Sequence, residues 1–486
     1  MMRQFIGREG FVQFIDSVVV KRGQEQGLIV MERCDATFLD VIEGNYVLPL
    51  RDGQTYEGAL IDLAKQIFEA VHTLGSGDDP IAHRDLKPDN LFIKDTKRDQ
   101  KLLAKIGDFD KSREFPNSEF KTTENHGHLN YMAPELLQCY DGGAKAKFSP
   151  PEWRANDMFA LGCSFGELFS GKHPFGGRVA ITGNISRGIV SFQSILQLPF
   201  ASRGRLANLI CALTQASSFR RPTAIDCLSH TLFQDPANKV TRLSEVNQVL
   251  KRIEFGEERN DPDRRELLNL YNQTSALIIG KRGNWLELVH PKFRHLLKKG
   301  YDITKASGLC RFLRNCISHL REDQPDLMKE VFGKEIMTQA ELFTEFEQHW
   351  PFLDAHNSWF MCKIGSPPMP MVFAEAQESL ESEMIEEGTK DGSLFDLRTD
   401  NLIWISVNDG PVKSHTITTD GAAVGPHVPL AKVKKLVKSF KLSEGTYELL
   451  DYRGRALGGK APILDGDVIH VKLMPMDSGE EEEVFL

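Results

Sequence analysis

The sequence predicts an α+β protein of several domains, and three observations lead there. Its 486 residues exceed what one compact core holds, a prior of about 150 residues per domain giving roughly three domains. Apolar residues recur at helical spacing over much of 59–363, while strand-like runs sit at both ends of the chain. A stretch from 366 to 392 opens Ser-Pro-Pro-Met-Pro, continues into a run of glutamates and separates the last strands from everything before them.

Composition narrows the function classes. With 41% hydrophobic and 26% charged residues the chain is ordinary for a soluble globular protein. A formal net charge of -9 excludes a protein that coats nucleic acid by bulk charge, so any RNA contact has to be a local site. Met1–Gly10 lacks a signal-peptide layout, and no stretch approaches the roughly 20 apolar residues of a membrane span. No membrane contact and a cytoplasmic or nuclear location are therefore expected. The eight cysteines are scattered, which predicts neither a disulfide framework nor a structural metal.

Two strands, Phe11–Val20 and Gly27–Met31, are joined by a charged turn. Leu60, Leu63, Ile67, Ala70 and Val71 make a helix of Ala59–Thr73. Pro236 marks the end of one helical body and the start of another. Glu375, Glu378, Glu381, Glu383, Glu386 and Glu387 make 366–398 an acidic linker, with room for a transient helix. Beyond it Leu402–Val407, Lys413–Thr418, Tyr447–Asp451 and Asp467–Leu473 read as strands, with a basic helix over Leu430–Phe440. The acidic end, 476–486, reads as a disordered tail.

His83-Arg84-Asp85-Leu86-Lys87-Pro88-Asp89-Asn90 is a long match to the catalytic loop of protein kinases. In that chemistry Asp85 orients and deprotonates a substrate hydroxyl, Lys87 steadies the transferred phosphate and Asn90 holds magnesium. Gly107-Asp108-Phe109 supplies the second metal carboxylate, Asp108, and Ala133-Pro134-Glu135, Asp157 and Arg221 follow in the family's order. The resemblance implies a Glu135–Arg221 ion pair and an Asp157 that braces the catalytic loop. The chain begins at what resembles the fourth strand of such a lobe, so the glycine-rich loop, the strand lysine and its glutamate partner are expected to be missing. Leu28–Glu32 resembles the strand leading to the hinge, and Met31 and Glu32 would offer backbone groups to the adenine of ATP or ADP, bound weakly with Mg2+. Asp110 stands where a glycine usually follows the metal motif, which predicts lost backbone freedom there. Ser112, Ser118, Thr122 and Thr123 fall where a kinase carries activation-loop phosphosites, or are solvated loop hydroxyls.

Behind the lobe, Leu309, Phe312, Leu313, Cys316 and Leu320 gather on one helix face, taking about 100° per residue. Asn315 and His319, four apart, stand together at its edge, and Arg314 lies more than about 100° of arc from His319. Read alone, His319 could equally be a satisfied core histidine, Arg314 a surface charge and Tyr301 a packing residue. The joint pattern Phe312-Leu313-Arg314-Asn315 with His319, Tyr301 upstream, Gly283-Asn284-Trp285 and Trp350-Pro351-Phe352-Leu353-Asp354 resembles the inositol-requiring kinase/endoribonuclease and RNase L family. Asp108-Phe109-Asp110-Lys111-Ser112 is closer to RNase L.

That resemblance implies a metal-independent ribonuclease needing no cofactor at the cutting site, active as a homodimer and leaving 2′,3′-cyclic phosphate ends. His319 would protonate the leaving 5′ oxygen, Tyr301 would take or position the 2′ proton, and Arg314 with Asn315 would neutralise the phosphate. Gly308 departs from a family aspartate, which puts support of the site in question.

Residues 402–474 resemble a ubiquitin-like β-grasp domain, implying a protein partner; Lys432, Lys434, Lys435 and Lys438 form a basic face there or merely a solvated one. The expected fold class is thus a multidomain α+β chain: a protein-kinase-like fold with a truncated N-lobe over 1–236, an all-α kinase-extension nuclease domain over 237–365, the linker 366–398, a β-grasp-like domain over 399–475 and the tail. An RNA endonuclease regulated by its kinase lobe is the leading function. An active Ser/Thr protein kinase and a non-catalytic pseudokinase scaffold are the alternatives.

Overall fold

The computed structural model describes residues 2–391 except 23, 52–53, 77–79, 98–100, 115–119, 122–127, 143–146, 178, 192–193, 196, 200–201, 274, 280–282, 290–292, 295–299, 324–325, 327–336, 348 and 351, together with six strands between 400 and 473. Its first sheet is the expected hairpin, Phe14–Arg22 against Gln24–Met31, in register through Val18↔Leu28 and Lys21↔Glu25. Ahead of the hairpin the chain turns inward. Val12 N–H donates to the Ile106 carbonyl and Ile106 N–H to the Gly10 carbonyl, at 2.9 and 2.8 Å. Gly10, at φ +83°, lies so close to the helix below that a Cβ would stand 2.9 Å from Cβ of Ala70.

That helix, Tyr56–Gly75, starts on the Thr55 hydroxyl, which accepts the Gly58 N–H, and buries Leu60, Leu63, Ile67, Ala70 and Val71 as the spacing predicts. Gln66 pins it to the strand Lys101–Ile106 by bonds to the Leu102 carbonyl and the Ala104 N–H. The strand pairs antiparallel with Leu91–Thr96, so the catalytic loop enters from Ile81–Ala82 and leaves into this sheet. Pro150–Ser170 is buried nearly all round, as a central helix must be, and stops at Gly171 in the left-handed region.

A new helix opens at Pro236 and runs to Phe255, capped by the Asp235 carboxylate on the Ala237 N–H. No break in packing accompanies it. One buried cluster takes in Phe68, Phe165 and Leu209 of the lobe and Leu243, Leu313 and Trp359 beyond it. Charges are buried across the same seam. Arg205 pairs with Glu347, Lys239 reaches Glu347 at 3.1 Å, and Arg242 donates twice to Asp354 at 3.0 and 2.8 Å. Burial works to raise the Asp354 pKa, but Arg242, Lys239 and Arg205 hold it below the ordinary carboxylate range.

The stretch read as an acidic linker is instead a helix, Met371–Asp391, packed on the core. Phe373, Ala374, Ala376, Leu380 and Met384 form a buried stripe, while Glu375, Glu378 and Glu383 face solvent, so composition averaged over the run hides a helical face. Glu381 is buried and partnered: it accepts from His356 Nδ1 at 2.9 Å and from Gln377 at 2.8 Å. Asn208 donates to the Phe373 carbonyl and to Gln377, at 2.8 and 3.0 Å.

At the far end Asp400–Val407 pairs antiparallel with Lys413–Thr418 and parallel with Val468–Leu473, which pairs antiparallel with Tyr447–Asp451. His427–Val428 pairs with Ile463–Leu464. The helix expected over Leu430–Phe440, with its lysines, and the tail 476–486 lie outside the described residues. All eight cysteines are free, and no metal-ligating cluster occurs among the described residues.

Candidate active sites

The kinase-like site is assembled by buried polar contacts. Asp157 accepts the N–H groups of His83 and Arg84 at 2.7 and 2.8 Å, the brace the resemblance implies, and burial pushes its pKa up to about 7 against those two bonds. Arg84 and Asp108 take left-handed conformations at φ 65° and 59°. Asn90 donates to the Asp85 carbonyl at 2.8 Å. Asp85 is buried and bonded to Lys111 Nζ at 2.9 Å. Lys87 is partly exposed, 3.8 Å from Asp89. Arg221 grips Glu135 by two bonds of 2.7 Å, as expected.

Asp110 carries no strain. It sits in the short turn Phe109–Lys111, and the left-handed residue is Asp108 itself, so the loss of freedom inferred from a missing glycine falls on the wrong position. Ser112 is buried with its hydroxyl donating to the His83 carbonyl at 3.3 Å, while Ser118, Thr122 and Thr123 lie outside the described residues. Phe5 stacks on Phe11 and on Phe109 of the metal motif, with centroids 4.3 and 5.0 Å apart.

A cavity of about 400 Å³ brings together Met31, Glu32 and Asp108, with Phe92 and Gly107 as neighbours. Glu32 is less free than predicted. Its N–H donates to the Gln13 carbonyl at 2.9 Å, and its carboxylate accepts from Gln13 N–H and pairs with Lys105 at 2.5 Å and with Lys94. Against the opposing effect of burial, Lys105 and Lys94 hold the Glu32 pKa down. Cys34 also lines the cavity, a position that sequence reasoning missed; burial pushes its thiol up to about 11.

The second site lies on the helix Ala306–Asp323, whose Leu309, Phe312, Leu313, Cys316 and Leu320 are all buried. The loop before it is held by Trp285, which donates from Nε1 to the Asp302 carbonyl and from its backbone to the Ile303 carbonyl, both at 3.1 Å. Asp302 Oδ1 accepts the Thr304 N–H and hydroxyl at 3.0 and 2.6 Å. Gly308 makes this fit possible: a Cβ there would stand 2.0 Å from the Asp302 carbonyl oxygen. The glycine taken as a loss of support therefore lets the loop close onto the helix.

The closed loop brings Tyr301 to the helix. Asn315 Nδ2 donates to the Tyr301 oxygen at 2.5 Å, and Arg314 donates to Asn315 Oδ1 at 3.1 Å. Tyr301, Asn315 and Arg314 thus form one hydrogen-bonded chain. His319 is exposed one turn beyond Asn315 and is not tied into that chain by any described bond. Sequence reasoning passed over Arg311, four residues before Asn315, which lies over the Tyr301 ring at 5.1 Å. Its i, i+4 relation to Asn315 was the available signal.

The protein kinase domain model matches residues 3–233. The Schizosaccharomyces pombe "Sensor for unfolded proteins in the ER ire1" is 31% identical over 328 residues, covering 63% of this chain and 29% of that protein. The Arabidopsis thaliana "Serine/threonine-protein kinase/endoribonuclease IRE1a" is 30% identical over 267 residues, 54% of this chain and 28% of its own length. A Hypocrea jecorina protein named "Serine/threonine-protein kinase/endoribonuclease IRE1" is 28% identical over 337 residues, 63% of this chain and 26% of its own. The chain therefore spans less than a third of these relatives. The expected cytoplasmic or nuclear location does not stand, because a relative matched over only 29% of its length is named a sensor in the ER. No helix among the described residues is long and apolar enough to cross a membrane. The matches to the Schizosaccharomyces pombe and Hypocrea jecorina proteins cover more of the chain than the kinase domain alone, and over that length the chain is similar to proteins named IRE1.

Proposed function

We propose that the chain is an endoribonuclease that cuts RNA without a metal ion and leaves 2′,3′-cyclic phosphate ends, with its kinase lobe as a nucleotide-binding platform for dimerisation. The observation that carries this reading is the Tyr301–Asn315–Arg314 chain on the helix that also presents His319. The ribose 2′ oxygen bonds to the neighbouring phosphorus while the bond to the 5′ oxygen breaks. Tyr301 takes or orients the 2′ proton, its oxygen held in place by the N–H of Asn315. Arg314 faces the phosphate charge, and His319 gives its proton to the departing 5′ oxygen. Wild-type cleavage in the presence of a chelator, with cyclic phosphate ends and loss of cutting in His319→Ala, is the expected result; equal cutting by the variant would refute it.

The braced catalytic loop supports a second reading, a Ser/Thr kinase. Asn90 and Asp108 have the oxygen donors that Mg2+ takes, and the ion when bound would neutralise the phosphates of ATP or ADP. Asp85 would orient the hydroxyl and Lys87 steady the transferred group. ATP-dependent labelling abolished by Asp85→Asn tests it. We read 237–365 as the kinase-extension nuclease domain and the C-terminal strands as a ubiquitin-like β-grasp module that binds a protein partner. The parallel pairing of 400–407 with 468–473, flanked on each side by an antiparallel strand, supports that module.

A further inference from the structure

Beside the proposed cutting site lies a stacked group that the chemistry above does not use. Phe255, the last residue of the helix Pro236–Phe255, is 60% exposed. The Arg311 guanidinium carbon stands 4.9 Å from the Phe255 ring centroid and 5.1 Å from that of Tyr301, so one cation is held between two rings. Arg311 donates to the Gly300 carbonyl at 2.9 Å and approaches Glu254 at 3.9 Å, and its buried Nε finds no hydrogen-bond partner among the described residues. Single exposed aromatics are common on protein surfaces. This one has a cation against it that also lies over the tyrosine of the candidate site, and it leaves much of its ring to solvent.

Unpaired bases stack on aromatic rings and on arginine planes, largely irrespective of base identity, whereas a base inside a duplex already has both faces covered. We propose that Phe255, backed by Arg311, is a stacking platform for an unpaired nucleobase of the RNA strand next to the scissile phosphate. The proposal rests on the nuclease reading and adds to it a preference for looped or single-stranded RNA. Glu254 offsets part of the Arg311 charge, so the platform works through the base and contributes little to the dependence on salt that phosphate contacts produce.

The test uses the full chain carrying His319→Ala, which holds RNA uncut, and two probes: a short single-stranded oligoribonucleotide, and the same backbone with abasic positions. Adding Phe255→Ala is expected to weaken binding of the base-bearing probe by roughly five- to a hundred-fold, to leave the abasic probe and the salt slope unchanged, and to be rescued by Phe255→Trp. Because Phe255 is mostly exposed, the alanine variant removes little packing. If Phe255→Ala holds the base-bearing probe as tightly as its parent while the wild type cuts RNA, the platform is overturned and the nuclease stands. If the wild type does not cut but base-dependent binding still falls in Phe255→Ala, the nuclease reading fails and the platform stands. A wild type that neither cuts nor binds overturns both.

Discussion

The side-chain amide of Asn315 donates to the phenol oxygen of Tyr301 across 2.5 Å, joining a helix to the loop that precedes it. This bond sets the position of one proposed proton carrier from the residue beside the proposed phosphate-binding arginine. Asn315→Ala should therefore lower single-turnover cleavage by about two to three orders of magnitude, with little change in melting temperature, since Asn315 is only half-buried. A rate within a few-fold of wild type would show that the bond is incidental.

Gly308 and the Asp302 carbonyl cannot both keep their places once a side chain is added. Gly308→Ala should cost about 1–3 kcal/mol and push the loop off the helix. Trp285, bonded to that carbonyl, offers a fluorescence readout of the shift. Unchanged emission together with full cleavage would mean that the loop has slack.

Arg242→Ala takes away both bonds to Asp354 Oδ1 and leaves a carboxylate buried at 1% exposure, with Arg205 3.7 Å away. The expected loss is about 3–5 kcal/mol, measured by denaturant unfolding. A loss below about 1 kcal/mol, the range of surface pairs, would imply that water reaches the pair.

Acid should unfold the lobe in a defined window. Burial lowers the pKa values of His83 and His173 from 6.5 to about 4 and that of His230 to about 3. His173 and His230 each accept a backbone N–H at Nδ1, which protonation would forbid. The unfolded chain takes up these protons first, so stability is whole above about pH 6.5 and falls as the pH drops toward 4. Asp157 has the opposite sign. Its folded pKa of about 7 lies above the usual 3.8, so the folded state gains stability from it as pH falls through the same window. Melting temperatures followed over this range should drop with acid, and more steeply in Asp157→Asn; a flat profile would contradict the burial of these groups.

What could be read in advance was what repeats or what chemistry spaces rigidly. The stripe from Leu309 to Leu320, the loop from His83 to Asn90 and the terminal strands all came from such patterns. The helix at 371–391 escaped because its glutamates dominate the composition while its apolar stripe occupies one face. Glu32 escaped because its amide is claimed by Gln13, a partner set by hairpin register. The Phe255–Arg311–Tyr301 stack joins residues up to 56 positions apart along the chain through packing alone, and no spacing rule announces it.

The helix Met371–Asp391 is fastened twice, to Asn208 of the lobe and through Glu381 to His356 of the extension. It therefore behaves as a strut. A tug arriving along the chain from the C-terminal strands is shared between the two bodies at once, and so would reach the surface that carries Tyr301 as well as the lobe that carries Asp85.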